Sequence, residues 1–204
     1  MNIKSRRRKQ EFYKQVVVWF IAATMILSVF GVIFYGFSAP GGTVSYNGFK
    51  FMQAAPGSVG IPEWKLKTEQ GTVMFDFLPD VVDDIRLEPG FVQILATTAQ
   101  IDFTSPWQGN YSQGIAEAEF ELEVALSGAF GKYLRKGFDA ENPYGRQVIT
   151  CGNATATVPV IYFYPDNASE QAIEGNCLRV GVASDVDALR VKDAILYLML
   201  GVIE

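Results

Sequence analysis

Hydrophobic residues near the N-terminus form one long uninterrupted run. Val16 to Phe37 contains twenty-two residues without a charge. As a helix this run would be roughly 33 Å long, close to the ~30 Å hydrocarbon thickness of a bilayer. Lys and Arg concentrate before the run, so the positive-inside rule places its N-terminal end in the cytoplasm. The pattern predicts a single transmembrane helix.

Other interpretations of the run fit less well. A cleaved signal peptide has an apolar region of about 7–15 residues and small residues at positions −3 and −1, whereas cleavage after Ala39 would put Phe37 at −3 and Pro40 at +1. No Cys follows the run for a lipid anchor, and a core helix would carry a polar face. We therefore predict a chain at the cell membrane, divided into a basic cytoplasmic tail (1–15), a transmembrane helix (16–37), a stalk (38–43) and an extracytoplasmic domain (44–204).

The first half of the predicted outer domain alternates apolar and polar residues, as strands do. Asn47-Gly48 suits a tight turn between two strands within Val44–Met52, and a second hairpin is predicted from Trp64 to Phe77. Pro79 and the acidic residues after it suit a short helical turn. Two further short strands are predicted, at Phe91–Leu95 and Ile101–Phe103.

From Ser112 the apolar spacing becomes helical and continues to Tyr133, although Phe120 to Leu126 also alternates as a strand would. Lys132, Arg135 and Lys136 suit a helix C-terminus. Ser184 and Gly201 suit the start and the end of a second long helix. Apolar runs at Val148–Cys151, Val158–Tyr164 and Leu178–Val182 predict strands buried on both faces. The predicted fold is an α+β domain with a mixed sheet and two main helices, behind the transmembrane helix.

Charge divides the chain unevenly. Residues 1–15 carry a net charge of +5, and the remainder carries −10. An acidic domain repels phosphate backbones, so nucleic acid is not an expected partner. The basic tail ends directly at the apolar run, which favours the lipid bilayer as its partner, with anionic headgroups contacting Arg6, Arg7 and Arg8.

Cysteines and sequons agree with an outside location. Cys151 and Cys177 are the two cysteines, and an even count in an extracytoplasmic domain favours a disulfide over two buried thiols. N-x-S/T triplets at Asn110, Asn153 and Asn167 are candidate glycosylation sites, with coincidence as the alternative.

Catalytic motifs are not found in the sequence. The chain has no His, so neither a Ser-His-Asp site nor the commonest metal ligand exists, and no phosphate-binding glycine motif is present. Carboxylates at Asp76, Asp80, Asp83 and Asp84 could bind Ca²⁺, but a solvated acidic helix start explains them better. A carboxylate pair for glycoside hydrolysis, with Glu63 or Glu69 as partner, has no specific support. We predict no catalytic residue, no cofactor and no enzyme activity.

Two aromatic residues are candidates for contact with a sugar or a partner protein. Trp107 lies in a polar Pro-Trp-Gln-Gly-Asn loop, and Tyr111 follows closely, whereas Trp64 in an alternating strand suits the core. These features predict a tethered outer domain that binds or assembles an envelope or secretory-pathway partner. The alternatives are a metal- or carboxylate-dependent enzyme acting on an envelope polymer and a pilin-like surface subunit.

The C-terminal quarter of the chain carries the segments CGNAT (151–155), PVIYF (159–163), GNCLRV (175–180) and DAILYLMLGVI (193–203). Together they resemble a group of small archaeal single-pass membrane-anchored proteins that are uncharacterised. The resemblance implies paired cysteines, buried strands and a closing helix, and it carries no catalytic residue.

Overall fold

The computed structural model describes residues 15–26, 42–56 and 62–203. The chain divides into two compact units, Met1–Gly41 and Gly42–Glu204. In the first unit, helix α1 covers residues 15–26. Most of the predicted basic tail, with Arg6, Arg7 and Arg8, lies outside the described residues, as does most of the predicted stalk.

The predicted fold class is wrong. Within the three described ranges, no helix is long and apolar enough to cross a membrane. Helix α1 accounts for residues 16–26 of the predicted span, and residues 27–37 lie outside the described part. The second unit is an α/β domain with two sheets, in place of the expected α+β domain built on one mixed sheet.

The first sheet, sheet A, is an antiparallel meander of four strands in chain order. Its strands are β1 (Thr43–Tyr46), β2 (Phe49–Pro56), β3 (Pro62–Lys67) and β4 (Thr72–Phe75). Asn47 and Gly48 join β1 to β2 with φ values of 44° and 84°. A type I′ turn needs positive φ at both positions, and Asn and Gly tolerate it best, so the first predicted hairpin is confirmed. The second is confirmed by the antiparallel pairing of β3 with β4.

The second sheet, sheet B, has five strands in the order β6-β5-β7-β9-β8. The strands are β5 (Gln100–Ser105), β6 (Tyr133–Phe138), β7 (Val160–Pro165), β8 (Gln171–Glu174) and β9 (Cys177–Val182). All neighbours are parallel except β8, which pairs antiparallel with β9 at one edge. Strand β6 forms the other edge, beside β5.

Four helices accompany the sheets of the second unit among the described residues: α2 (Pro79–Val82), α3 (Pro89–Thr97), α4 (Ser112–Phe130) and α5 (Asp185–Leu200). Helix α4 contacts β4 of sheet A and β6 of sheet B. Helix α5 contacts β9, and its Tyr197 ring stacks on Phe75 of sheet A at 4.1 Å between centroids. Both long helices therefore contact both sheets, and one apolar core joins the three layers.

Several predicted elements are confirmed at their ends. The Ser184 hydroxyl accepts a hydrogen bond from Asp187 N at the start of α5, and Gly201, with φ 68°, ends that helix. Helix α4 starts at Ser112 as predicted, but Gly131, in the left-handed conformation, ends it. The basic residues read as its C-terminus lie instead on or beside β6, a strand that the sequence analysis missed.

Two predicted strands are wrong. Phe91–Leu95 lies within helix α3, where Pro89 occupies the first turn and Phe91 and Leu95 are buried one turn apart. Val148–Cys151 forms a single β-bridge at Val148, and a 3₁₀ turn begins at Cys151. Short apolar runs do not distinguish a buried helical turn from a strand by periodicity alone.

A lysine is buried where α5 meets α4 and sheet A. Lys192 is 0% exposed, and its Nζ lies 2.8 Å from Asp76 Oδ2, 2.5 Å from Glu121 Oε2 and 2.7 Å from Asp193 Oδ1. Burial alone would lower the pKa of Lys192, but the three carboxylates raise it above its ordinary value. Asp193 Oδ2 also accepts hydrogen bonds from the backbone N–H groups of Asp76 and Phe77.

Candidate functional site

A cavity of about 570 Å³ opens where β5 ends, between helix α4 and the edge strand β6. We call it the β6 cleft. Its lining combines hydroxyl, carboxylate, cationic and aromatic side chains: Ser105, Trp107, Ser112, Glu119, Glu123, Lys136, Phe138 and Arg146, among others. Ligand sites in proteins are concave and mostly of about 300–1,000 Å³, so the size is suitable.

Helix periodicity places the acidic residues of the cleft. Ile115 and Leu122 of α4 are buried in the core. Ala116, Glu119 and Glu123 follow one another at spacings of three and four residues, so they share the neighbouring face of the helix, which lines the cleft. Successive side chains of β6 point to opposite faces of the sheet, so Leu134 and Lys136 lie on the same face. Leu134 is part of the core on that face. The two elements therefore present opposite charges across the cleft.

Glu119 is held in the wall of the cleft by Ser105, the last residue of β5. The Ser105 hydroxyl donates to Glu119 Oε1 at 2.8 Å. Burial raises the pKa of Glu119 from its ordinary 4.5 to about 7, and nearby Glu123 adds to the rise. The Ser105 hydrogen bond and the charges of Lys136 and Arg146 oppose it without cancelling it. Near neutral pH this carboxyl can both give and take a proton.

Glu123 stands one helical turn after Glu119, in different surroundings. Its Oε2 lies 2.5 Å from Lys136 Nζ, and its side chain is 43% exposed. An ion pair with this much solvent contact contributes only about 0–1 kcal/mol to stability, so its main effect is to orient both side chains.

Three aromatic rings lie together at the cleft. Trp107 and Tyr144 meet edge to face with 6.4 Å between centroids, and Tyr144 lies 6.3 Å from Phe138. Trp107 and Phe138 line the cavity itself. Tyr144 is 69% exposed, so much of this aromatic surface is open to solvent.

The N-terminus of α4, just after β5, is occupied by the chain itself. Gly114 N donates to Asp185 Oδ1 at 2.8 Å. In doubly wound α/β folds the equivalent helix N-terminus is where phosphate groups bind. In this domain the Asp185 carboxylate of α5 accepts a hydrogen bond at that position instead.

The structure separates the two predicted contact residues. Trp107 lines the cleft, whereas Tyr111 forms the left-handed N-cap of α4, with φ 58°, and packs partly buried against the core. Trp64 packs against the core, in agreement with its prediction.

The predicted acidic cluster is distributed among different partners. Asp76 is buried against Lys192, Asp84 accepts from Arg190 at 2.8 Å, and Asp80 and Asp83 are exposed. Across residues 15–26, 42–56 and 62–203, no three His, Cys, Asp or Glu side chains are arranged to hold a metal ion.

The predicted disulfide is confirmed. Cys151 and Cys177 are bonded, with 5.3 Å between their Cα atoms, and the bond ties the 3₁₀ turn to the start of β9. Asn110, Asn153 and Asn167 are all exposed. Their glycosylation stays a prediction.

The residues that build the cleft were not predicted from the sequence. No role was predicted for Glu119 or Glu123, and Lys136 was predicted to lie at a helix C-terminus. The only local signal was the spacing of the two glutamates, one helical turn apart. A salt bridge between helix and strand depends on the missed strand β6, so it could not be read from the sequence.

No protein-family model, curated protein sequence or solved structure matches this chain. The resemblance of residues 151–203 to archaeal membrane-anchored proteins therefore stays a prediction.

Proposed function

We propose that this domain binds a carbohydrate chain in the β6 cleft, as its contact with an envelope or secretory-pathway component. The observation that carries the proposal is the lining of one cavity by a tryptophan, two carboxyls and two cations. Sugars present hydroxyl groups that donate and accept hydrogen bonds, and apolar C–H faces that pack on aromatic rings. The cleft offers acceptors on Glu119 and Glu123, donors on Lys136 and Arg146, and a ring on Trp107.

Competing ligand classes fit less well. Nucleotides and dinucleotides commonly place their phosphates at a free helix N-terminus, and Asp185 occupies that of α4. A polyanion would meet two carboxyls in the cleft and a domain of negative net charge. A neutral sugar avoids both costs.

We also propose that the domain works outside the cytoplasm, where it would meet such glycans. The Cys151–Cys177 bond supports this location, since disulfides persist in oxidising compartments and are rare in the cytosol. The exposed positions of the three sequon asparagines are compatible with it.

Binding of the full-length chain to an array of neutral oligosaccharides tests the proposal. We expect the wild type to retain at least one glycan, and Trp107→Ala to weaken binding by ten-fold or more, since a buried aromatic anchor contributes on the order of 2 kcal/mol. Phe120→Ala is the matched control, because Phe120 is an exposed ring on α4 that does not line the cleft. A wild type that binds no glycan, or a Trp107→Ala variant that binds as well as wild type, would refute the proposal.

A further inference from the structure

Two carboxyl groups stand one turn apart on helix α4, both lining the β6 cleft. Residues at i and i+4 have Cβ atoms about 5–6 Å apart, so both side chains can reach one bound molecule. Glu119 and Glu123 differ in exposure and in partner. Glu119 is mostly buried and bonds to a neutral hydroxyl, whereas Glu123 is 43% exposed and bonds to an ammonium.

The different surroundings of Glu119 and Glu123 suit them to different roles in proton transfer. Burial favours the protonated form of the Glu119 carboxyl, whereas Glu123 is more exposed and is ion-paired with Lys136. Pairs of this kind supply the acid and the base in enzymes that cleave bonds between sugars.

We infer that the β6 cleft hydrolyses a glycosidic bond, with Glu119 as the general acid and Glu123 as the general base. The inference rests on the proposed binding of carbohydrate and deepens it. Ser105 is a positioning residue, since its hydroxyl holds the Glu119 carboxyl against the end of β5.

The step balances without any group beyond water. Glu119 gives its proton to the glycosidic oxygen as the bond from that oxygen to the anomeric carbon breaks. A water oxygen bonds to the anomeric carbon, and Glu123 takes the proton that the water loses. Lys136 holds Glu123 Oε2, which leaves Oε1 to accept that proton. The products are a free sugar and an alcohol, and one proton moves from Glu119 to Glu123.

The proton equilibrium of Glu119 agrees with this role. A pKa of about 7 keeps a large fraction of the carboxyl protonated near neutral pH, which a general acid requires. The charged groups around Glu119 are Glu123 on the same helix, Lys136 on β6 and Arg146 in the loop after it.

Leaving-group chemistry tests the assignment on the full-length chain. The probes are p-nitrophenyl glycosides of glucose, mannose and N-acetylglucosamine, and the disaccharides of the same sugars. A p-nitrophenolate leaves without protonation, whereas a sugar alcohol needs a proton. We therefore expect Glu119→Gln to lower disaccharide hydrolysis about 100-fold or more and p-nitrophenyl glycoside hydrolysis far less. Glu123→Gln should lower both, and the exposed Glu170→Gln should lower neither.

The outcomes separate this inference from the proposed function. Glycan binding by the wild type without release of reducing ends overturns the hydrolysis and leaves the binding proposal standing. Equal disaccharide hydrolysis rates for wild type and Glu119→Gln overturn the assignment of Glu119 as the general acid. Absence of both binding and hydrolysis refutes the proposed function itself. Correct folding of each variant is checked by its circular dichroism spectrum.

Discussion

Asp185 at the start of α5 accepts a hydrogen bond from the backbone N–H of Gly114 at the start of α4, over 2.8 Å. The two helices approach so closely that a Cβ on Gly114 would lie 2.4 Å from Asp185 Cα. The contact joins the two long helices of the middle layer at the end of the sheet where the β6 cleft opens. It also places a carboxylate against the positive end of the α4 dipole, which is a stabilising position.

Replacing Gly114 by Ala should destabilise the domain by about 1–3 kcal/mol or more, because backbone atoms of α5 must move to admit the methyl group. Chemical unfolding by urea measures the effect. Gly128→Ala is the matched control on the same helix, since nothing lies within 4 Å of its Cβ position. That change should stabilise by up to about 1 kcal/mol through helix propensity. Equal effects of the two substitutions would contradict the close packing of α4 and α5.

Replacing Lys192 by Met should destabilise the domain by roughly 3–5 kcal/mol at about pH 8. The substitution leaves the carboxylates of Asp76, Glu121 and Asp193 together without their cation, and a buried charge without a partner is costly. The loss should shrink at about pH 5, where Glu121 and Asp193 can bind protons, because burial raises the pKa of both carboxyls.

The control for Lys192 is Lys67→Met on the exposed face of sheet A, which should change stability by less than about 0.5 kcal/mol. Urea unfolding of both variants at the two pH values gives the comparison. A loss for Lys192→Met that does not depend on pH would show that packing, and not charge, determines the effect.

Stability should fall as the pH rises from about 4 to about 7, as far as Glu119 and Asp193 determine it. Burial raises the pKa of both carboxyls to about 7, from 4.5 and 3.8. A carboxyl with a raised folded-state pKa contributes stability that is fully present below its unfolded pKa and is lost as the pH passes its folded pKa. The window is therefore about pH 4 to 7.

Glu119→Gln isolates one of these contributions. The amide cannot ionise, so the variant should gain stability relative to wild type between about pH 5 and pH 8, on the order of 1–3 kcal/mol. Urea unfolding at several pH values measures the difference. Glu170→Gln, an exposed substitution, should show no such trend. A trend of opposite sign would place the folded pKa of Glu119 below its ordinary value.

Removal of the disulfide by the double substitution Cys151→Ala and Cys177→Ala should cost about 3 kcal/mol. The bond joins residues 26 apart in sequence, and its loss frees the unfolded chain to adopt more conformations. Thermal unfolding with and without reductant measures the loss. Reductant should destabilise the wild type by a similar amount and leave the double variant unchanged. A double variant that still responds to reductant would show that the reductant acts elsewhere.

Local backbone signals in the sequence identified many elements of the α/β domain. Asn47-Gly48 predicted the first hairpin because few residues accept positive φ at two successive positions. Ser184 and Gly201 marked the ends of α5 because a cap acts within a few residues of itself. Turn and cap preferences depend only on residues that are close in sequence, so they can be predicted from the sequence alone.

Other elements were misread where local signals conflict with packing. Phe91 and Leu95 are buried one turn apart in α3, yet the same run reads as a strand of suitable length. Strand β6 begins only two residues after Gly131, so its lysine and arginine looked like the end of the preceding helix. Its place at the edge of sheet B depends on pairing with β5, more than twenty-five residues earlier.

By itself the sequence determined the hairpin turns, the caps of α5, the pairing of the two cysteines and the acidic character of the domain. The turns and caps follow from residues that are close in sequence. The cysteine pairing follows from the presence of only two cysteines, and the acidic character follows from composition. Only the tertiary structure decided which carboxyls are buried and which partner each of them meets. Lys192 meets Asp76 from 116 residues away, and Glu119 meets the hydroxyl of Ser105 from the preceding strand. The energy of such contacts depends on burial and on distances in space, and neither can be read from spacing along the chain.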